Sequence, residues 1–190
     1  MKRWTPLVVA LSLVLSLGAI LAPAQAYPPG RDMTITANRD HIKKGDTIRF
    51  YITKARPNSS VRIKWGTEIK TIRAGATGKA SGEMEAPDFG AFVVKATNGS
   101  ETASIRMWVP KIKIRDYVLQ AGKRNRIELE YVKPGAIVTF RLNSVVRTKA
   151  AGTDGIVMMK FLMPLKIATF TMPITVGTDN LASFELRTTR

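Results

Sequence analysis

GDTIRFYITKARPNSSVRIKWGTEIKTIRAGATG, residues 45–78, is matched by GKRNRIELEYVKPGAIVTFRLNSVVRTKAAGTDG, residues 122–155. The offset is 122 − 45 = 77 residues, without a gap. Gly45 falls on Gly122, Pro57 on Pro134, Thr71 on Thr148, Gly75 on Gly152 and Gly78 on Gly155, and Pro87 then meets Pro164. The apolar positions keep this register: Phe50 with Ile127, Ile52 with Leu129, Val61 with Val138, Ile63 with Phe140, Trp65 with Leu142. Gly and Pro mark where a backbone must turn. Coincident turns with coincident apolar alternation therefore mean two copies of one fold.

Outward from this core, period-two alternation marks strands at Met33–Ala37, Thr47–Thr53, Ser60–Trp65, Ile69–Arg73, Ala80–Glu85, Ala91–Thr97 and Thr102–Val109. The second copy runs through Lys111–Arg115, Lys123–Tyr131, Ala136–Leu142, Val145–Lys149, Ile156–Leu162, Ala168–Ile174 and Leu181–Arg187, with a two-residue insertion in its last hairpin. Asn98-Gly99 is a strong hairpin signal. No stretch after Tyr27 keeps a helical period. The expected fold is all-β, two tandem seven-stranded β-sandwiches over residues 27–110 and 111–190. Only Val109-Pro110-Lys111 joins them, too short for a free linker. Units this small, without disulfides, bury modest cores, so contacts between them should matter to stability.

Residues 1–26 read as a signal peptide: basic Met1-Lys2-Arg3, an apolar run from Leu7 to Leu21, and the small-residue triplet Ala24-Gln25-Ala26. Cleavage after Ala26 predicts a secreted or wall-associated product, and there is no cysteine to lipidate or oxidise. The chain holds 30 basic and 14 acidic residues for a net charge of +16. Loss of Lys2 and Arg3 leaves 28 basic residues, half in each copy, so the charge is not confined to a tail. Net charge alone serves solubility; outside a cell it also attracts wall polymers, lipid headgroups, acidic glycans and free nucleic acid.

Gly90 to Gly99 reads Gly-x-Phe-x-Val-x-Ala-Thr-Asn-Gly and leads into the Thr/Ser-rich strand Thr102–Ile105. This resembles the last hairpin of bacterial immunoglobulin-like surface domains. The Gly-Ala-Thr-Gly and Gly-Thr-Asp-Gly turns at 75–78 and 152–155 are similar to the Thr-Asp-x-Gly turn of such modules. The second copy departs from the pattern, with Ile167-Ala168-Thr169-Phe170 in place of Gly-x-Phe. The resemblance implies an immunoglobulin-like sandwich on an exported protein, used in adhesion, spacing or ligand display.

Catalytic chemistry is thinly supplied. The single histidine, His41, reads as a polar turn residue, and no Cys–His pair exists. Glu83 with Glu85, and Glu128 with Glu130, share strand faces but read as surface charge. Met158, Met159, Met163 and Met172 read as core or interface rather than a copper site. Asn58-Ser59-Ser60 and Asn98-Gly99-Ser100 read as turns. No enzyme, cofactor or metal is expected.

Two kinds of surface stand out. In this type of sandwich the third, fourth, sixth and seventh strands form one sheet, whose outward positions read as Arg62, Lys64, Lys70, Lys95 and Arg106. Arg141, Arg147 and Lys149 repeat them in the second copy, whereas Arg49, Glu83, Glu85, Glu128 and Glu130 fall on the opposite sheets. This separation of sign predicts an anionic cell-wall or extracellular polymer as partner; no motif for sequence-specific nucleic-acid recognition is present. Trp108 is expected to point outward and pack against the neighbouring domain. The strand from Ile156 to Met163 is apolar on both faces except Lys160. Ile156, Met158 and Leu162 are therefore expected to form an interface, with another segment, a protein partner or a second copy.

The sequence thus points to an exported, non-catalytic binding or structural module at the cell envelope. The alternative is a secreted carrier holding a small ligand or metal. A pocket of a few hundred Å³ would favour the carrier.

Overall fold

Alternation becomes extended chain in every copy of the pattern. The computed structural model describes residues 32–190, so the expected signal peptide, its cleavage site and the Pro28-Pro29-Gly30 leader lie outside the described residues. The first half forms β1 (Thr34–Ala37), β2 (Thr47–Thr53), β3 (Ser60–Trp65), β4 (Glu68–Arg73), β5 (Ala80–Glu85), β6 (Gly90–Asn98) and β7 (Glu101–Val109). In β2, Ile48, Phe50 and Ile52 are buried while Thr47, Arg49 and Tyr51 are exposed, as a half-solvated strand requires. The strands pair antiparallel in two sheets, β1-β2-β5 and β4-β3-β6-β7. Their inner faces meet in one apolar cluster, where Phe50 packs edge-on against Trp65 at 5.3 Å between ring centroids.

The second half forms β8 (Lys111–Ile114), β9 (Val118–Gln120), β10 (Arg124–Glu130), β11 (Ile137–Leu142), β12 (Val145–Ala150), β13 (Val157–Leu162), β14 (Thr169–Val176) and β15 (Asp179–Thr189). Its sheets are β13-β10-β8 and β12-β11-β14-β15-β9, enclosing a second apolar cluster from Ile127 to Leu186. The fold is immunoglobulin-like in both halves: two facing sheets, with the fourth strand in the sheet of the third, sixth and seventh.

Two details depart from expectation. The second sandwich has an eighth strand, because its first strand leaves one sheet after Ile114 and rejoins the other as β9, parallel to β15. Asn125, buried, donates from Nδ2 to the Asp116 carbonyl at 2.7 Å and holds this crossing. The first sandwich keeps only a single parallel bridge, His41 with Trp108, at the position matching Val118 with Arg187.

The two-residue insertion is also divided rather than lodged in the last hairpin, which has two residues in both copies (Gly99-Ser100 and Gly177-Thr178). Ile63 pairs with Ala96 and Phe140 with Ile174, so β14 is already offset by 174 − 96 = 78, one residue having entered before it. The other is a bulge in β15, where the register shifts between Ile174 and Thr175.

Candidate functional site

The outward side of β3, β6 and β7 carries Arg62, Lys64, Lys95 and Arg106, all exposed. Antiparallel register sets Lys64 directly across from Lys95. Neither these four nor Arg73, which shares their side of the sheet, has a carboxylate partner within ion-pair distance among the described residues. On the opposite sheets several bases are ion-paired, although Lys160, directly across from Arg126, has no carboxylate within ion-pair distance among the described residues. Arg49 Nε donates to Glu83 at 2.9 Å, Arg126 to Glu128 at 2.7 Å, and Lys113 is paired with Glu130. Donating hydrogen bonds to Glu83 and Glu130 raises the pKa values of Arg49 and Lys113.

Three expected members do not belong to this face. Lys70 pairs in register with Ile63, which is fully buried, so its side chain starts on the inner side of the sheet. From the edge strand its Nζ reaches the Glu83 carbonyl of the other sheet at 2.7 Å. Arg147 and Lys149 likewise stand opposite Phe140 and Val138, and Lys149 donates to the Met158 carbonyl at 3.1 Å. The reason is local. β4 and β12 are edge strands, exposed along nearly their whole length, so no apolar alternation fixes which side faces in. Arg141 does face outward, but its surroundings in the second sandwich are Thr139, Thr148, Thr171 and Thr175 with exposed Ile137 and Val146. The uncompensated basic face belongs to the first sandwich.

Trp108 lies at the junction of the sandwiches, nearly buried. Its ring stacks on His41 at 5.9 Å with an interplanar angle of 21°, and Lys133 Nζ from the second sandwich stands 5.5 Å from its centroid. His41 is only 4% exposed, so the turn-residue reading fails. Its position across from Trp108 depends on the parallel bridge, which leaves no periodic trace in the sequence. The Lys133 backbone N–H donates to His41 Nε2 at 3.2 Å, so Nδ1 carries the proton and donates to Asp40 Oδ1 at 2.8 Å. Lys133 Nζ closes the ring on Asp40 Oδ2 at 3.0 Å. Burial raises the Asp40 pKa, but the hydrogen bond and charge of Lys133 and the hydrogen bond from His41 outweigh it, and the net shift is downward.

Asp179 brings a third ligand-type atom within 4.8 Å of those of Asp40 and His41. The geometry is poor for a metal ion. Both His41 nitrogens are committed, and an ammonium already sits on Asp40.

On the other sheet of the second sandwich, Leu162 is 63% exposed and Ile156 37%, while Met158 is half-buried beside Glu128. Leu162 and Ile156 are thus open among the described residues, and the chain leader, one of the segments expected over this strip, lies outside them. A partner chain is a separate matter. Glu83, Glu128 and Glu130 are ion-paired surface groups.

No protein-family model and no curated protein matches the chain. Similar solved structures include bacterial adhesin domains and, at 7% identity and a TM-score of 0.33, a red sea bream transglutaminase. The D0–D1 domains of intimin are 16% identical at a TM-score of 0.36, covering 83% of this chain and 98% of that one. Invasin, a bacterial integrin-binding protein, is 17% identical at 0.38, over 84% of this chain and 39% of that one. The C-terminal fragment of intimin, solved with the intimin-binding domain of its translocated receptor, is 14% identical at 0.44, over 81% and 62%. The likeness is one of fold.

Proposed function

We propose that this chain is a non-catalytic binding module of the cell envelope that holds anionic polymers on the outward face of β3, β6 and β7. One observation carries the reading: Lys64 stands directly opposite Lys95, flanked by Arg62 and Arg106, with no carboxylate within ion-pair distance among the described residues. Like charges opposed across strands cost about 0.2–1 kcal/mol, a penalty that a bound polyanion removes. The reading is supported by the pairing of Arg49 with Glu83 on the opposite sheet of the first sandwich, and by a lone histidine whose two nitrogens are both engaged. Export rests on the expected signal peptide, and phosphate- or carboxylate-bearing wall polymers suit that compartment.

The test is retention on immobilised polyphosphate and polyglutamate. Arg62→Glu with Lys64→Glu and Lys95→Glu should abolish retention at 0.1 M salt, where screening acts over about 10 Å. Lys79→Glu with Lys123→Glu and Arg124→Glu makes the same change of net charge elsewhere and should leave most of it. Equal losses from the two sets would reduce the effect to net charge and refute the site.

A further inference from the structure

Where the two sandwiches meet, a cleft of about 310 Å³ opens, and residues of both build it. Ile42, buried in the first sandwich, and Pro110, Ile112, Leu181 and Phe184 on the other side make an apolar floor. Phe89 forms a wall and keeps 39% of its surface exposed, much for a phenylalanine beside an apolar hollow. The rim is cationic. Lys44 Nζ lies 5.5 Å and Lys111 Nζ 5.9 Å from the Phe89 ring centroid, and Lys43 joins them in the lining. The one carboxylate at this rim, Asp88, is taken by Lys44 at 3.1 Å. Lys43 and Lys111 have no carboxylate within ion-pair distance among the described residues, although the charge of Lys111 also acts on Asp88.

From this geometry we infer a binding site for a small amphiphilic anion: a carboxylate or sulfonate bearing an aromatic or medium-length aliphatic body. Three features select that class. The volume lies at the small end of ligand pockets, which favour domain junctions, and equals about ten water volumes. A cleft of this size suits a small ligand with an apolar body. The floor offers no hydrogen-bonding side chain, so the body is apolar. Three lysines, Lys43, Lys44 and Lys111, against the single carboxylate of Asp88 leave the rim with net positive charge, so the head is anionic. No residue of this cleft belongs to the basic sheet face, and the two sites stand or fall separately. Because both sandwiches line it, an occupant also fixes their mutual orientation.

The experiment is a titration of the purified, isotope-labelled chain followed by amide NMR shifts, with decanoate and decyltrimethylammonium as probes, both below their aggregation thresholds. Decanoate should shift Ile42, Phe89, Ile112, Leu181 and Phe184 saturably and bind at least ten-fold tighter than the cation. Lys43→Glu with Lys111→Glu should reverse that preference, and Ala182→Phe should fill the cleft and remove both. Thermal melting of the variants verifies that they are folded. Equal binding of the two probes, shifts centred on Arg62, Lys64 and Lys95, or no saturable shift would each overturn the inference.

Discussion

Gly78→Ala should cost the first sandwich about 3 kcal/mol, and the reason is a close approach of backbones. Gly78 has φ +71°, and a Cβ built there falls 2.3 Å from the Ala55 carbonyl oxygen, where no carbon can sit. The positive φ costs an L-residue about 1 kcal/mol. Relieving the clash must move Ala55, which is fully buried and donates its N–H to the Gly78 carbonyl at 3.0 Å. Stranding that donor costs a further ~2 kcal/mol. Gly155 repeats the arrangement: φ +72°, a Cβ 2.7 Å from the Val132 oxygen, and Val132 N–H on the Gly155 carbonyl at 3.0 Å. Gly177 is the control, with φ +56° and open space around it, so its alanine variant should lose only about 1 kcal/mol.

A unit of this size holds on the order of 4–12 kcal/mol. With a urea dependence of about 1 kcal/mol per molar, Gly78→Ala should lower the midpoint by about 3 M and Gly177→Ala by about 1 M. Fluorescence of Trp65, buried in the first core, reports that unit; the second is followed by resolved NMR signals of Phe140 and Phe161. Equal losses in Gly78→Ala and Gly177→Ala would refute the close approach. If Gly78→Ala and Gly155→Ala move one shared transition, the proposed boundary at Pro110 does not separate two folding units.

Three further outcomes are expected. A carboxyl with a lowered pKa contributes stability above its unfolded value and loses it as pH falls, so the junction ring around Asp40, with His41, Lys133 and Asp179 facing it, should loosen below about pH 3.8. Small-angle scattering should show the change, Asp40→Asn should reproduce it at pH 7, and an unchanged profile in both would contradict the role of Asp40. Lys64→Thr should stabilise the first sandwich by about 0.5 kcal/mol at low salt, less at 1 M salt, while weakening polyanion retention; a destabilised variant would mean that Lys64 and Lys95 do not repel. Leu162→Lys with Leu165→Lys, at side chains 63% and 81% exposed, should change stability by under about 0.5 kcal/mol and reduce any concentration-dependent association in sedimentation. A large loss of stability would mean that these leucines are covered in the monomer.

What the sequence determined by itself is the duplicated sandwich. Turns at Gly75–Gly78 and Gly152–Gly155 are local, because a positive φ or a tight approach admits almost nothing else, and strands such as β2 and β3 write their buried side into a period of two. Arg62, Lys64, Lys95, Arg106 and Arg141 were legible for the same reason: buried neighbours on their own strands fix the parity. Edge strands have no such neighbours. The side taken by Lys70, Arg147 and Lys149 was decided only by pairing with Ile63, Phe140 and Val138. The junction was beyond any local pattern. His41 is 92 residues from Lys133 and meets it because two rigid sandwiches abut across Pro110. The apolar cleft beside Phe89 arises from the same abutment, since its walls come from halves that share no strand. Period and turn chemistry act within a few residues, whereas contacts between sandwiches depend on how finished surfaces fit, and that fit exists only once both are folded.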